Sequence, residues 1–202
     1  MKGFFFLIHF FLSYLDTIYK MKNFSLLILL RKNEDCQMRK ITDGDKLFYF
    51  EKNFFTMDGV WMLETEKEVG WEAALKIDRN VWIRLMKIIF RRIKNYLNIE
   101  TNTLNDLIDI ITFRWSIEGW KYSTNRISES EVIVEINECP YKAIMDRNPN
   151  RQERISLICK NMCFPFYKAA FEEFNPKIKF ERNKFMGLGD KDCDFCFKLE
   201  EK

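Results

Sequence analysis

The sequence predicts an α+β domain: N-terminal helices packed on a four-stranded antiparallel sheet, with a long helix between strand pairs and a C-terminal hairpin. Three observations lead there. Apolar residues recur at helical spacing through the first half, alternate with a period of two at Val132, Val134 and Ile136, and return to helical spacing after Gln152. Of the 202 residues, 47% are hydrophobic and 16% aromatic, enough for a sizeable core and too many for wholesale disorder. With only seven Gly and four Pro, neither G-x-G-x-x-G nor G-x-x-x-x-G-K-[ST] occurs, so dinucleotide and P-loop phosphate cradles are excluded.

Residues 1–37 stand apart from residues 38–202, which read as a single α+β domain. Phe4 to Leu15 is an apolar run broken by His9 and Ser13, and Phe24 to Leu30 forms a second. Each is shorter than the roughly 18–20 residues that span a bilayer, and Asp16, Lys20 and Lys22 separate them. No small-residue cleavage site follows Leu15, which weakens a signal peptide. The favoured reading is a misassigned start, with translation beginning at Met21 or Met38. A folded or interfacial extension and a signal or anchor remain as alternatives.

In the main body, Asp43 to Asn53 fits a short helix, and Thr56 suits the N-cap of another that ends near Gly70. Glu72 to Asn98 reads as one long helix, with an apolar stripe at Trp71, Leu75, Trp82, Leu85, Ile89 and Tyr96. Asp78 and Arg92 fall on that stripe by spacing. Thr103 caps a helix through Ile111. A strand is expected over Phe113, Trp115 and Ile117 and another over Val132, Val134 and Ile136, with Asn125 to Ser130 as the turn. A second long helix fits Gln152 to Phe174, stopped by Asn175-Pro176. The hairpin pairs Lys177–Met186 with Cys193–Leu199 across Gly187-Leu188-Gly189-Asp190.

Composition limits the chemistry. The single histidine, His9, lies in the apolar N-terminal run, so Ser–His–Asp triads, Cys–His dyads and His-rich metal sites have no supplier. A net charge of +3 is too small to imply nucleic acid, and the dense cluster Arg91-Arg92 with Lys94 reads as a solvated helix face. A membrane partner is not expected. An Asn-, Lys- and Ile-rich body without a clear signal peptide points to the reducing cytoplasm.

Five of the six cysteines follow residue 138: Cys139, Cys159, Cys163, Cys193 and Cys196. Cys159 and Cys163, four apart, share a helix face. Cys193 and Cys196 form a C-x-x-C on a strand, where they face opposite sides, so it is no zinc knuckle. A thiolate-rich zinc site from Cys139, Cys159, Cys163 and Cys193 is geometrically open, completed by Glu or Asp if needed. The alternatives are small buried hydrophobes and a Cys139–Cys193 disulfide.

Asp58 beside Trp61, and Asp78 one turn from Trp82, put carboxylates among aromatics. A carboxylate on an apolar stripe needs a partner or a raised pKa. An aromatic pocket holding one or two of them grips a small cationic or amidine-like ligand. The plainer reading is an ion pair of Asp78 with Arg92 or Arg182.

The stretch Phe55-Thr56-Met57-Asp58-Gly59-Val60-Trp61, then Asp78 with Val81-Trp82, resembles the opening helices of a group of prokaryotic proteins related to L-2-amino-thiazoline-4-carboxylic acid hydrolases. Downstream, Glu138-Cys139-Pro140, Ile158-Cys159-Lys160, Phe180-Glu181-Arg182 and Gly189-Asp190-Lys191-Asp192-Cys193-Asp194-Phe195 resemble that family's C-terminal pattern. The resemblance covers about residues 40–200. More distantly, the chain resembles vinyl-4-reductase-type ligand-binding domains, an α+β fold with a cysteine-bearing C-terminal hairpin. The resemblance implies functional roles for Cys139, Cys159 and Cys193, with Asp58 and Trp61; Cys163 and Cys196 fall outside the pattern.

Two functions follow as expectations. In the first, a small cyclic amidine is hydrolysed, with Asp58 or Asp78 as general base, Cys159 or a bound zinc ion holding or polarising the substrate, and Trp61, Trp82 and Arg182 binding it. In the second, a pocket of the vinyl-4-reductase type binds a small molecule without turnover, and Cys139, Cys159 and Cys193, with or without zinc, brace the hairpin. The twenty Phe residues suggest that some form a homodimer face.

Overall fold

The computed structural model describes residues 39–200, so the expectations for residues 1–37 lie outside the described residues. The chain divides into two compact units, residues 1–46 and residues 47–202. In the described part of the first, Thr42 N–H donates to Asp45 Oδ2 (3.0 Å) and Asp45 N–H to Thr42 Oγ1 (3.1 Å), a reciprocal cap at the start of helix α1, Asp43–Val69. One helix therefore replaces the two expected there. Thr56 does not cap; its hydroxyl donates to the Lys52 carbonyl at 2.8 Å inside the helix.

The second unit carries the α+β core. Gly70, at φ 80°, breaks α1 from helix α2, Trp71–Tyr96. Helix α3 spans Leu104–Ile117 and starts at a Thr103–Asp106 capping box. It continues past Ile111 and absorbs the expected strand over Phe113, Trp115 and Ile117. The reason is visible in the burial: Leu104, Leu107, Ile108, Ile111 and Trp115 all face the core at helical spacing, and no breaker intervenes before Gly119.

The sheet order is β1-β2-β4-β3, all neighbours antiparallel, with β1 at Lys121–Ser128, β2 at Glu131–Glu138, β3 at Ile178–Glu181 and β4 at Cys193–Leu199. β1 occupies most of the segment expected to turn, and the turn itself tightens to Glu129-Ser130. β1 is an edge strand of mostly exposed polar residues, so it carries no period-two signal. In β2 and β4 the register sets Val132 against Phe197, Val134 against Phe195 and Ile136 against Cys193, all buried. Phe180 of β3 pairs with Phe197. This one face of the sheet packs with α2, α3 and the later helices into a single core.

Helix α4 (Pro140–Met145) follows β2 with Pro140 in its first turn and Cys139 Sγ accepting from Lys142 N at 3.4 Å. A turn of 3₁₀ helix at Pro149–Arg151 leads into helix α5, Gln152–Ile158. A π turn at Cys159–Cys163 continues into helix α6, Phe164–Phe174. The expected long helix is thus present with a local widening. Pro165 explains it: proline offers no N–H to the ladder and crowds the carbonyl four residues back, and the adjacent Phe164 N–H reaches Cys159 O instead. Among the described residues no helix is long and apolar enough to cross a membrane.

Candidate functional site

A cavity of about 270 Å³ opens between α1, α2, α4 and the α5–α6 segment. On α1, the half-buried residues Phe55, Asp58, Met62 and Glu66 recur at three- and four-residue steps, so one stripe carries Asp58 inward. Trp61 lies off that stripe. It is 64% exposed, stands beside Met57 and Val60 on the outer face, and does not line the cavity as expected. On α2, Ala74, Asp78, Trp82, Met86 and Phe90 fall at four-residue steps on the buried face. This places Asp78 one turn before Trp82, and both line the cavity. Trp82 stacks on Phe166 at 5.4 Å and meets Tyr141 edge-on at 5.6 Å.

Trp82 Nε1 donates to Asp58 Oδ1 at 3.1 Å, joining the two expected site residues across helices. Burial pushes the Asp58 carboxyl up to about 6; the Trp82 hydrogen bond opposes this, and the Glu118 charge adds to it. Burial, then the neighbouring Asp58 charge, pushes Asp78 up to about 7. Asp78 is 8% exposed, and no ion pair or hydrogen bond from the described residues reaches its carboxylate. The ion pairs expected with Arg92 and Arg182 are not formed. Arg92 is exposed to solvent on α2, and Arg182 is engaged elsewhere.

At the cavity rim stand Lys142, Arg151 and Arg154. Each already has an acidic partner: Lys142 pairs with Asp146 (2.8 Å), Arg151 with Glu66, and Arg154 with Glu66 (3.9 Å) and Glu153 (3.7 Å). Arg154 also lies 4.3 Å over the Trp71 ring.

Behind the aromatic wall is a buried polar network that the sequence reading missed. Arg114 donates through Nε to Glu118 (2.8 Å) and through Nη1 to the Tyr167 hydroxyl (3.0 Å), which also accepts from Trp115 Nε1 (2.9 Å). The guanidinium sits 5.6 Å from the Trp82 ring. Its only sequence signal is a charge between Phe113 and Trp115, which the strand assignment turned toward solvent.

Cys139, Cys159 and Cys163 line the cavity, while Cys193 is buried behind them. Burial raises the Cys139 thiol well above its ordinary value and Cys159 to about 12, with neighbouring Cys163 and Cys193 adding to both. A thiol held there is protonated at neutral pH and is a poor nucleophile, which counts against Cys159 as a catalytic group. Cys139, Cys159, Cys163, Cys193 and Cys196 are all free, so the alternative Cys139–Cys193 disulfide is not formed.

The expected zinc site at Cys139, Cys159 and Cys193 is not assembled. Among the described residues no three His, Cys, Asp or Glu side chains are placed to hold a metal ion. The sulfurs meet protein donors instead: Lys142 N at Cys139, Met186 N at Cys193 (3.2 Å) and Arg182 Nη1 at Cys163 (3.5 Å). Arg182, expected to bind substrate, does not line the cavity. It donates to the Asp194 carbonyl (3.1 Å) and stacks between the rings of Phe185 and Phe195, bracing the hairpin loop against the thiols.

The arrangement can hold an apolar body against aromatic, aliphatic and thiol groups, and can offer it two carboxylates at one wall. No curated protein matches the chain in sequence. Among solved structures, it is similar to a trafficking protein particle complex subunit 3 from Naegleria fowleri, crystallised covalently bound to palmitic acid. Sequence identity is 13%, the match covers 75% of this chain and 95% of that one, and the TM-score is 0.53. That likeness shows a shared fold. Residues 38–181 match the Family of unknown function (DUF6125), and the chain belongs to that family.

Proposed function

We propose that this chain is a small-molecule-binding domain that holds an apolar ligand in the cavity between α1, α2 and α5–α6 without turning it over. The observation that carries this reading is the cavity itself, about 270 Å³ and walled by Phe55, Met62, Trp82, Tyr141 and Phe166. That volume lies just below the roughly 300–1,000 Å³ common for ligand sites, which suits a small ligand. Protonated thiols add further apolar wall. The similarly folded Naegleria subunit, covalently bound to palmitic acid, supports an apolar ligand here. The resemblance to vinyl-4-reductase-type domains supports the same class.

The test is titration with N-phenyl-1-naphthylamine, a neutral apolar fluorophore, following quenching of tryptophan emission, since Trp82 and Trp120 line the cavity. Saturable binding at one probe per chain is expected. A linear, unsaturable response would remove the reading.

One observation favours hydrolysis as a second reading. Asp78, held at about 7 in the cavity, suits a general base near neutral pH. Water losing a proton to Asp58 or Asp78 would add to the amidine carbon of the ring. The tetrahedral adduct would then break a ring bond at that carbon, and the protonated carboxyl would return its proton to the departing ring atom, leaving the ring-opened carbamoyl product. Incubation with L-2-aminothiazoline-4-carboxylate tests this: turnover that Asp78→Asn abolishes supports it, and no turnover by the native protein removes it.

A further inference from the structure

The charges around the cavity are unevenly satisfied. Lys142, Arg151 and Arg154 at the rim are each paired with Asp146, Glu66 or Glu153. Arg114, behind the wall, is paired with Glu118. The carboxylates of Asp58 and Asp78 have no cationic partner among the described residues; Trp82 Nε1 on Asp58 is their one donor. Asp78 is more than nine-tenths buried, unpartnered, and faces the cavity. The uncompensated charge of this site is therefore negative and sits on its inner wall.

We infer that the ligand is a cationic amphiphile: an ammonium or amidinium head placed between Asp58 and Asp78, with an apolar body filling the space along Phe55, Met62, Tyr141 and Phe166. This rests on the ligand-binding reading above and names the class of molecule it selects. A buried carboxylate is stable when a cation or a proton satisfies it, and the head group supplies the first. A divalent metal ion is a poor alternative, because calcium or magnesium wants about six oxygen ligands. Beyond the two carboxylates the wall is aromatic, aliphatic, thiol and cationic, with Asn148 and the Tyr141 and Tyr167 hydroxyls as its further side-chain oxygens. An organic cation needs two charged acceptors at most and gains from the faces of nearby aromatic rings.

Binding is linked to protons. The groups facing the pair are the Trp82 indole from α2, Glu118 at the end of α3, the Tyr141 hydroxyl from α4, and each carboxylate to the other. None of these is a cation, so below pH 6 protons take the place of the head group. A cationic ligand must then displace them, and its affinity rises with pH between 5 and 8.

The experiment uses the full chain and three probes with the same alkyl tail, decylammonium, decan-1-ol and decanoate, competing with N-phenyl-1-naphthylamine at pH 8. Decylammonium is expected to bind about tenfold or more tightly than decan-1-ol, as a charge-assisted hydrogen bond provides, and decanoate more weakly than the alcohol. The amine-to-alcohol preference should shrink toward unity at pH 5, a result read on the native protein alone. Asp78→Asn, with Asp58→Asn as a second variant, should reduce it at pH 8. Binding of the alcohol with no preference for the amine, or with a preference for decanoate, overturns this inference and leaves the ligand-binding reading standing. Binding of none of the three overturns both.

Discussion

Replacing Asp78 by Asn changes stability in a direction that an ordinary ion-pair partner would not. Asp78 titrates near 7 in the fold and near 3.8 in an unfolded chain. A group raised in this way supports the fold fully below about pH 4, and that support is lost as pH rises through 7. At about 1.4 kcal/mol per pH unit, the ceiling of the loss is about 4 kcal/mol. Asp58, raised to about 6, acts in the same direction with a ceiling of about 3 kcal/mol. The two losses overlap, because the charge of Asp58 is one of the causes of the Asp78 shift. Urea unfolding followed by tryptophan fluorescence at pH 5 and pH 8 reads this directly. The native protein should lose several kcal/mol between the two values. Asp78→Asn should lose much less and be the more stable protein at pH 8. If Asp78→Asn is instead less stable than the native protein at pH 8, Asp78 has a partner and the cavity electrostatics are wrong.

Two further substitutions test the walls. Arg114→Ala leaves Glu118 and the Tyr167 hydroxyl in a buried network without their cation, and should cost about 3–5 kcal/mol by thermal or urea unfolding; a cost below about 1 kcal/mol would contradict the network. Gly187→Ala puts a Cβ into overlap with Cys159 Sγ and within 3.2 Å of Ile155 Cγ2, at the wall where the hairpin loop meets the π turn. It should destabilise by about 1–3 kcal/mol in the same assay, whereas an unchanged midpoint would show that this contact is loose.

The fold class was legible because its signals were local and strong. Val132, Val134 and Ile136 alternate cleanly, and all three are fully buried. Thr103 marked a helix start, which the structure completes as a capping box with Asp106. The errors arose where two periods coexist or where no apolar signal exists. Phe113, Trp115 and Ile117 alternate by two, yet Trp115 also continues the helical series from Leu107 and Ile111, and the longer series prevails. β1 is a polar edge held by backbone pairing with β2, which side-chain pattern cannot reveal.

At the cavity, Asp78 was conspicuous in sequence as a carboxylate on the apolar stripe one turn from Trp82, and Asp58 as one beside an aromatic; the fold sets Asp58, Asp78 and Trp82 along the same wall. Trp61 failed because it lies two successive three-residue steps from Phe55; each step drifts about 60°, and together they turn it off the inward stripe that Asp58, Met62 and Glu66 follow. Arg114, Tyr141 and Tyr167 come from three separate elements. Only tertiary packing brings them behind Trp82.

The claim that this domain holds its ligand in the cavity is tested most directly by filling the cavity. Met62 lines it from α1, so Met62→Trp places an indole where the ligand body would lie, at a position that is half-buried and free to adjust. Titration of N-phenyl-1-naphthylamine into the native protein and this variant, with unfolding curves to establish that both are folded, gives the answer. Saturable binding by the native protein and at least about tenfold weaker binding by the folded variant are expected. Equal binding by both would place the ligand elsewhere and contradict that claim.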